Sequence, residues 1–226
     1  MALLIPRCAA ALTIGGDVAY TSDYIFRGVS ETNGHGAIQL DLHATDTSGS
    51  FAGVFASSLG RVWDNQSGYE LEAYLGHRFS LSTSWSASVS AVNYSYIHTG
   101  IPASSDYQEL SIAASYLDSL TVTLSASPSY VRYADRYRLG RYPAYVADVA
   151  GQLPLHAGLF ATVGVGYYRF TGPYEQGYAY GNAGLAFEYK GLRIDAGYYA
   201  IEAQAEYLFP YGRVGNRFAA TLSWHF

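Results

Sequence analysis

From residue 17 to the C-terminus, apolar and polar residues alternate with a period of two, interrupted by short polar or glycine-containing intervals. The run from Tyr69 to Phe79 is the clearest. Tyr69, Leu71, Ala73 and Leu75 fall on one face; Glu70, Glu72, Gly76 and Arg78 fall mostly on the other. A helix would place Glu70 and Leu71 on adjoining flanks, whereas a strand separates them completely. The pattern recurs in Ile38, Leu40, Leu42 and Ala44 against Gln39, Asp41, His43 and Thr45, and in Leu192, Ile194, Ala196 and Tyr198 against Arg193, Asp195, Gly197 and Tyr199. It predicts about twelve strands, each near the ~9–11 residues that a tilted strand needs to cross a bilayer. The predicted spans are 17–29, 36–46, 50–59, 68–79, 84–97, 107–117, 120–133, 142–153, 157–170, 177–189, 191–202 and 214–226. In 84–97 the apolar face changes from Trp85, Ala87 and Val89 to Tyr94 and Tyr96, which predicts a bulge.

The intervals alternate long and short. Ser30–His35, Gly60–Ser67, His98–Asp106, Ala134–Arg141, Thr171–Gln176 and Ala203–Arg213 are long; Asp46–Gly49, Ser80–Thr83, Asp118-Ser119, Pro154–His156 and Lys190 are short. Bacterial outer-membrane barrels have short periplasmic turns and long external loops. The fold class expected is therefore all-β: a transmembrane up-and-down antiparallel β-barrel of about twelve strands, in the bacterial outer membrane. Residues 12–226 form this single barrel. Residues 1–11, apolar and ending in Ala9-Ala10-Ala11, are the expected remnant of a signal peptide or a disordered start.

Composition sharpens the choice between a soluble sandwich and a membrane barrel. Only 14% of residues are charged, against about a quarter in an ordinary soluble domain, and 23 are tyrosine. Amphipathic rings collect at membrane interfaces. The girdle residues expected are Phe79, Trp85, Phe187, Tyr189 and Phe226 on the periplasmic side, with Tyr24, Phe26, Tyr94, Tyr96 and Tyr130 on the outer side. A net charge of −5 argues against nucleic acid as a partner. The single cysteine excludes a disulfide framework, and the histidines lack metal spacing, so no metal or cofactor is expected.

The last strand ends Leu222-Ser223-Trp224-His225-Phe226. Trp224 and Phe226 share a face, and a terminal phenylalanine on an alternating aromatic strand resembles the assembly signal read by the barrel-insertion machinery. Tyr20-Thr21-Ser22-Asp23-Tyr24-Ile25-Phe26-Arg27-Gly28-Val29-Ser30 resembles the opening motif of the TorF family, outer-membrane β-barrels named as candidate porins. Ser50-Phe51-Ala52-Gly53-Val54-Phe55 is similar to a second segment of that family. The resemblance implies a pore, names no solute and implies no catalytic residue.

The expected pore-lining residues are Asp23, Arg27, Asp41, Glu70, Glu72, Arg78, Arg193 and Asp195. Asp23 and Arg27 are either part of a polar eyelet or a structural ion pair near the outer mouth. On the predicted inner face Asp17, Glu109, Asp148 and Glu188 add to the acidic side, and Arg217 to the basic side. This excess of carboxylates predicts a weak cation preference. Arg132, Arg136, Arg138 and Arg141 cluster in one external loop, either as a constriction or as a grip on lipopolysaccharide phosphates. Ser223 and His225 share a face, the minimum for a barrel hydrolase, but that face is predicted inward and no carboxylate accompanies it in the sequence.

The function these readings predict is passive diffusion of small hydrophilic solutes or ions without enzymatic activity. The alternative is a non-conducting structural or adhesion barrel that binds lipopolysaccharide or a partner through its loops. The partners expected are outer-membrane lipid and lipopolysaccharide, the barrel-assembly machinery and small solutes, with room for a homo-oligomer.

Overall fold

The computed structural model describes residues 11–61, 67–97, 106–133, 139–172, 176–209 and 213–226. Its strands, in chain order, are β1 (Leu12–Thr21), β2 (Ile25–Phe26), β3 (Val29–Ser30), β4 (Ala37–Asp46), β5 (Ser50–Arg61), β6 (Ser67–Ser80) and β7 (Trp85–Ile97). They continue with β8 (Tyr107–Tyr116), β9 (Leu120–Tyr133), β10 (Leu139–His156), β11 (Leu159–Phe170), β12 (Gln176–Tyr189), β13 (Leu192–Ile201) and β14 (Arg217–His225). All except β2 and β3 join, each beside its neighbour in the chain, into one closed antiparallel barrel of twelve strands. Closure is made by β1 on β14, with Val18 opposite Trp224 and Tyr20 opposite Leu222. A closed ring leaves no unpaired sheet edge, the condition for backbone to lie in lipid.

Side chains divide by face as the alternation requires. Ile38, Leu75, Leu110, Leu124, Val163 and Leu185 point outward and are more than half exposed. A soluble protein does not expose so large an apolar belt; lipid is the medium that suits it. Phe79, Trp85, Phe187, Tyr189 and Phe226 ring the short-turn end and are all about half exposed, so that girdle lies where the sequence puts it.

The other end differs. Tyr94 is buried against the inner wall, and Tyr24, Phe26, Tyr96 and Tyr130 are also partly covered there. The exposed ring at the long-loop end is made by Tyr20, Tyr69, Tyr145, Tyr167, Tyr198 and Phe218. The expected bulge in β7 is absent, because β7 keeps an unbroken register with both β6 and β8. Ser86, Tyr94 and Tyr96 share its inner face, so the aromatic pair belongs to the lumen and the strand never changes sides.

Register shifts occur instead between Ser58 and Arg61, between Tyr142 and Ala144, and between Pro154 and His156. Pro143 sits inside the second and Pro154 borders the third, where a missing N–H breaks no ladder bond. The turn expected at Pro154–His156 is therefore Ala157-Gly158, with φ of 30° and 83°. Lys190-Gly191 repeats that geometry at 48° and 81°, the signature of a two-residue hairpin turn with both central residues left-handed.

The first strand departs most from expectation. It ends at Thr21 and not at residue 29. The chain then turns inward, and Ile25–Phe26 pairs with Val29–Ser30 as a separate hairpin. Residues 1–10, and with them nearly all of the expected N-terminal remnant, lie outside the described residues.

Candidate functional site

The site is the lumen, and the inward hairpin shapes it. Ser22 holds the departing chain to β14: its N–H donates to the Ala220 carbonyl at 2.8 Å, and its Oγ accepts from the Ala220 N–H at 2.9 Å. Arg27 and Gly28, at φ 48° and 81°, form the hairpin tip with the same turn as Lys190-Gly191. Gly28 is required twice over. A side chain disfavours φ of 81°, and a Cβ there would lie 2.7 Å from the Tyr180 Cβ.

Among the described residues, three ion pairs dock the hairpin. The Asp23 carboxylate is buried and accepts hydrogen bonds from Ser30 Oγ at 2.5 Å, Thr32 Oγ1 at 2.8 Å and Arg217 Nη1 at 2.9 Å. It therefore staples both legs of the hairpin to the last strand. Glu31 pairs with Arg213, whose Nε also donates to the Ser30 carbonyl at 3.0 Å. Arg27 donates through Nη1 and Nη2 to the two oxygens of Glu109 on β8, at 2.8 and 2.6 Å. Its guanidinium also lies over the rings of Phe26 (4.7 Å) and Tyr168 (5.0 Å), which adds cation–π attraction. Asp23 and Arg27 thus pair with other residues and not with each other.

Aromatic side chains fill the space around this hairpin. Tyr94 stacks on Tyr107 at 4.4 Å, Tyr107 meets Tyr130 edge-on at 4.8 Å, and Tyr168 lies 4.2 Å from Phe170. A 3-10 turn at Ala203–Tyr207 seats Ala205 beside Val29 of the hairpin, with Tyr168, Phe170 and Tyr178 in the same apolar cluster. The long-loop half of the lumen is packed like a small core, with Val29, Tyr107, Phe170 and Tyr178 at most 2% exposed.

The carboxyls at this level are not all matched. Glu70 is fully buried, and neither of its oxygens has a hydrogen-bond partner of normal geometry. Its neighbours on the same wall are Glu72 on its own strand, Ser57 opposite on β5 and Tyr96 opposite on β7. Among the described residues no ion pair joins Glu70 or Glu72 to a basic side chain.

The short-turn half is lined by polar and charged side chains. Asp41 accepts from the Tyr74 hydroxyl at 2.7 Å and meets His43 Nδ1 at 2.6 Å. Arg193 forks onto Asp195 at 2.8 Å through both Nε and Nη2, and also pairs with Glu188. A cavity of about 530 Å³ here is lined by Thr121, Gln152, Thr162, Asn182, Arg193, Asp195 and Tyr199 among others. Arg78 lies at the rim, exposed, and pairs with Asp118 of the β8–β9 turn. The sequence-predicted lining residues therefore fall in two groups: Asp23, Arg27, Glu70 and Glu72 around the hairpin, and Asp41, Arg193 and Asp195 in the open half, with Arg78 at its mouth.

Trp224 and Phe226 are exposed on the outward face, their rings 5.5 Å apart. Arg141 donates to the carbonyls of Asp106 at 2.7 Å and Ser129 at 3.1 Å. Arg136 and Arg138 lie outside the described residues, as does the side chain of Arg132. Ser223 and His225 are joined by a carboxylate that sequence reasoning missed: Asp17, opposite His225 in the closing register, pairs with its Nδ1. Among the described residues no group of three histidine, cysteine or acidic side chains is placed to hold a metal ion.

Residues 7–225 match the family described as "Bacterial protein of unknown function (Gcw_chp)". The chain belongs to that family. Its description names no activity, and the TorF name is not part of it. No curated protein matches the chain. Among solved structures it resembles the NanC porin with a TM-score of 0.61 at 10% identity, over 93% of this chain and 98% of that one. The KdgM porin gives 0.56 at 11% identity, over 94% and 99%. OmpF of Salmonella typhi, in complex with daunomycin, gives 0.51 at 9% identity, over 98% and 99%. At such identities the likeness is one of fold: this Gcw_chp chain has the barrel of outer-membrane porins.

Proposed function

We propose that this Gcw_chp protein is an outer-membrane channel for small hydrophilic solutes or ions, narrowed from the outside by its first loop. One observation carries the reading: the Tyr24–Thr32 segment folds into the lumen and presents Arg27 to Glu109 across it. A loop turned inward, with opposed charges at its tip, sets the width and field of a channel without disturbing the lipid-facing wall. Its short-turn end would face the periplasm and its long loops the exterior. The TorF-like opening motif supports this reading, because its residues are the hairpin.

The solute class follows from charge. A KdgM porin is known in complex with disordered oligogalacturonate. Here Glu70 and Glu72 stand beside the hairpin and, among the described residues, form no ion pair with a basic side chain, so the field at the narrow level favours cations over anions. Asp23, Arg27, Glu70 and Glu72 would line the constriction, and Asp41, Arg78, Arg193 and Asp195 the inner vestibule. The Arg132–Arg141 loop would meet lipopolysaccharide phosphates, and Trp224 with Phe226 would be read during assembly.

A second reading has its own support. The tight packing of Tyr107, Phe170 and Tyr178 suits a barrel that is closed at rest and serves as a structural or adhesion element. Reversal potentials of the purified protein in a salt gradient across a planar bilayer test the proposal. It expects current with cation preference; anion preference refutes the charge argument, and silence at many insertions favours the structural barrel.

A further inference from the structure

Glu70 poses a problem that the channel reading leaves unsolved. A carboxylate sealed from water costs several kcal/mol, and folds keep one only with a counter-charge or a proton. Glu72 on its own strand and the Tyr24 hydroxyl of the docked hairpin lie within reach of its carboxyl, and Glu31 of the hairpin adds a further negative charge nearby. Ser57 and Tyr96 flank it on the two adjoining strands. Every polar atom these side chains bring is oxygen; Arg27 and Arg213 are taken up by Glu109 and Glu31.

Oxygen donors without nitrogen or sulfur select hard cations. A calcium-type site draws on several carboxylates, and no three acidic groups converge closely enough here among the described residues. Two carboxylates with neutral hydroxyls beside them suit a single positive charge. We infer that Glu70 and Glu72, closed over by Tyr24 of the hairpin, form a binding site for one desolvated monovalent cation. The ion supplies the counter-charge that Glu70 lacks. Because Glu31 and Tyr24 belong to the hairpin, a bound ion also favours the docked loop, so the permeant species would help to set the state of its own gate. This extends the proposed cation preference and rests on it for the direction of flow, but occupancy itself does not require conduction.

Thallium(I) soaked into crystals of the whole protein is the direct probe. An anomalous peak beside the Glu70 and Glu72 carboxyls, lost in Glu70→Gln with the hairpin still docked, is the expected result. A thermal unfolding midpoint higher in sodium or potassium chloride than in N-methylglucamine chloride of equal ionic strength should accompany it, and the difference should vanish in Glu72→Gln. No peak, with the two carboxyls in direct contact and no cation-dependent midpoint, overturns the site and assigns the charge to a shared proton. The site fails if thallium is absent from a cation-selective barrel, whereas a peak in a barrel without cation preference leaves the site standing and refutes only the channel's selectivity.

Discussion

Arg27 at the tip of the inward hairpin holds both oxygens of Glu109 on the opposite wall, through contacts of 2.8 and 2.6 Å across 82 residues of sequence. Both side chains are nearly sealed, at 10% and 3% exposure. A pair this buried is costly to break from one side, about 3–5 kcal/mol, because the remaining charge stays in place without its partner. Arg27→Ala and Glu109→Gln should each release the hairpin and raise single-channel conductance. The double variant should cost less than the sum of the two, since neither charge is then stranded. Additive losses in a denaturant series would show that the two residues act separately.

Gly28 tests the hairpin by backbone alone. Gly28→Ala introduces a left-handed non-glycine residue and a methyl group 2.7 Å from the Tyr180 Cβ. About 1–3 kcal/mol of local strain follows, confined to the loop. The barrel should keep its sheet dichroism and its melting behaviour in detergent while protease reaches the Ser22–Gly36 segment faster. Unchanged protection of that segment would mean that it is not docked.

Acidity should tighten the docked loop. Burial pushes the Glu31 carboxyl above the ordinary glutamate range, against the pull of Arg213, and the nearby Asp23 pushes it further. The docked loop therefore takes up a proton more readily than the released one. Docking gains as pH falls from the raised value towards the ordinary one, and levels off below it, where both states are protonated. Conductance should drop on acidification through that window. In Glu31→Gln the drop should disappear; a wild-type current that rises on acidification contradicts the sign.

Phe226→Ala should lower the amount of barrel in the outer membrane without changing the conductance of the molecules that do insert. Outer-membrane fractions quantified beside a co-expressed control barrel check this. Unaltered levels would remove the assembly role of the terminal aromatic pair.

How much of this was legible in the chain depends on which force decided each residue. The barrel was, because lipid on one side and water on the other impose period two on every wall, and Leu71 against Glu72 needs no tertiary knowledge. The first-strand boundary was not. Tyr24 and Phe26 keep the alternation of β1 across Asp23, so periodicity alone extends the strand through them. The missed signal was Arg27-Gly28, an X-Gly pair like Lys190-Gly191 set between the short segments Ile25-Phe26 and Val29-Ser30. Tyr94 misled for a related reason: a tyrosine near a strand end suits either a girdle or a packed lumen, and only the hairpin decides for the lumen. The basic partners of Asp23 and Glu109, Arg217 and Arg27, lie 194 and 82 residues away, a separation no spacing rule reaches.

The Tyr24–Thr32 hairpin in the barrel lumen is the feature on which conductance should depend. Its most direct test compares single-channel conductance of the intact protein with that of a variant in which residues 23–35 are replaced by a short turn. A clearly larger conductance in the shortened protein is the predicted result. Equal conductance in the two, with both inserted as barrels, would contradict it.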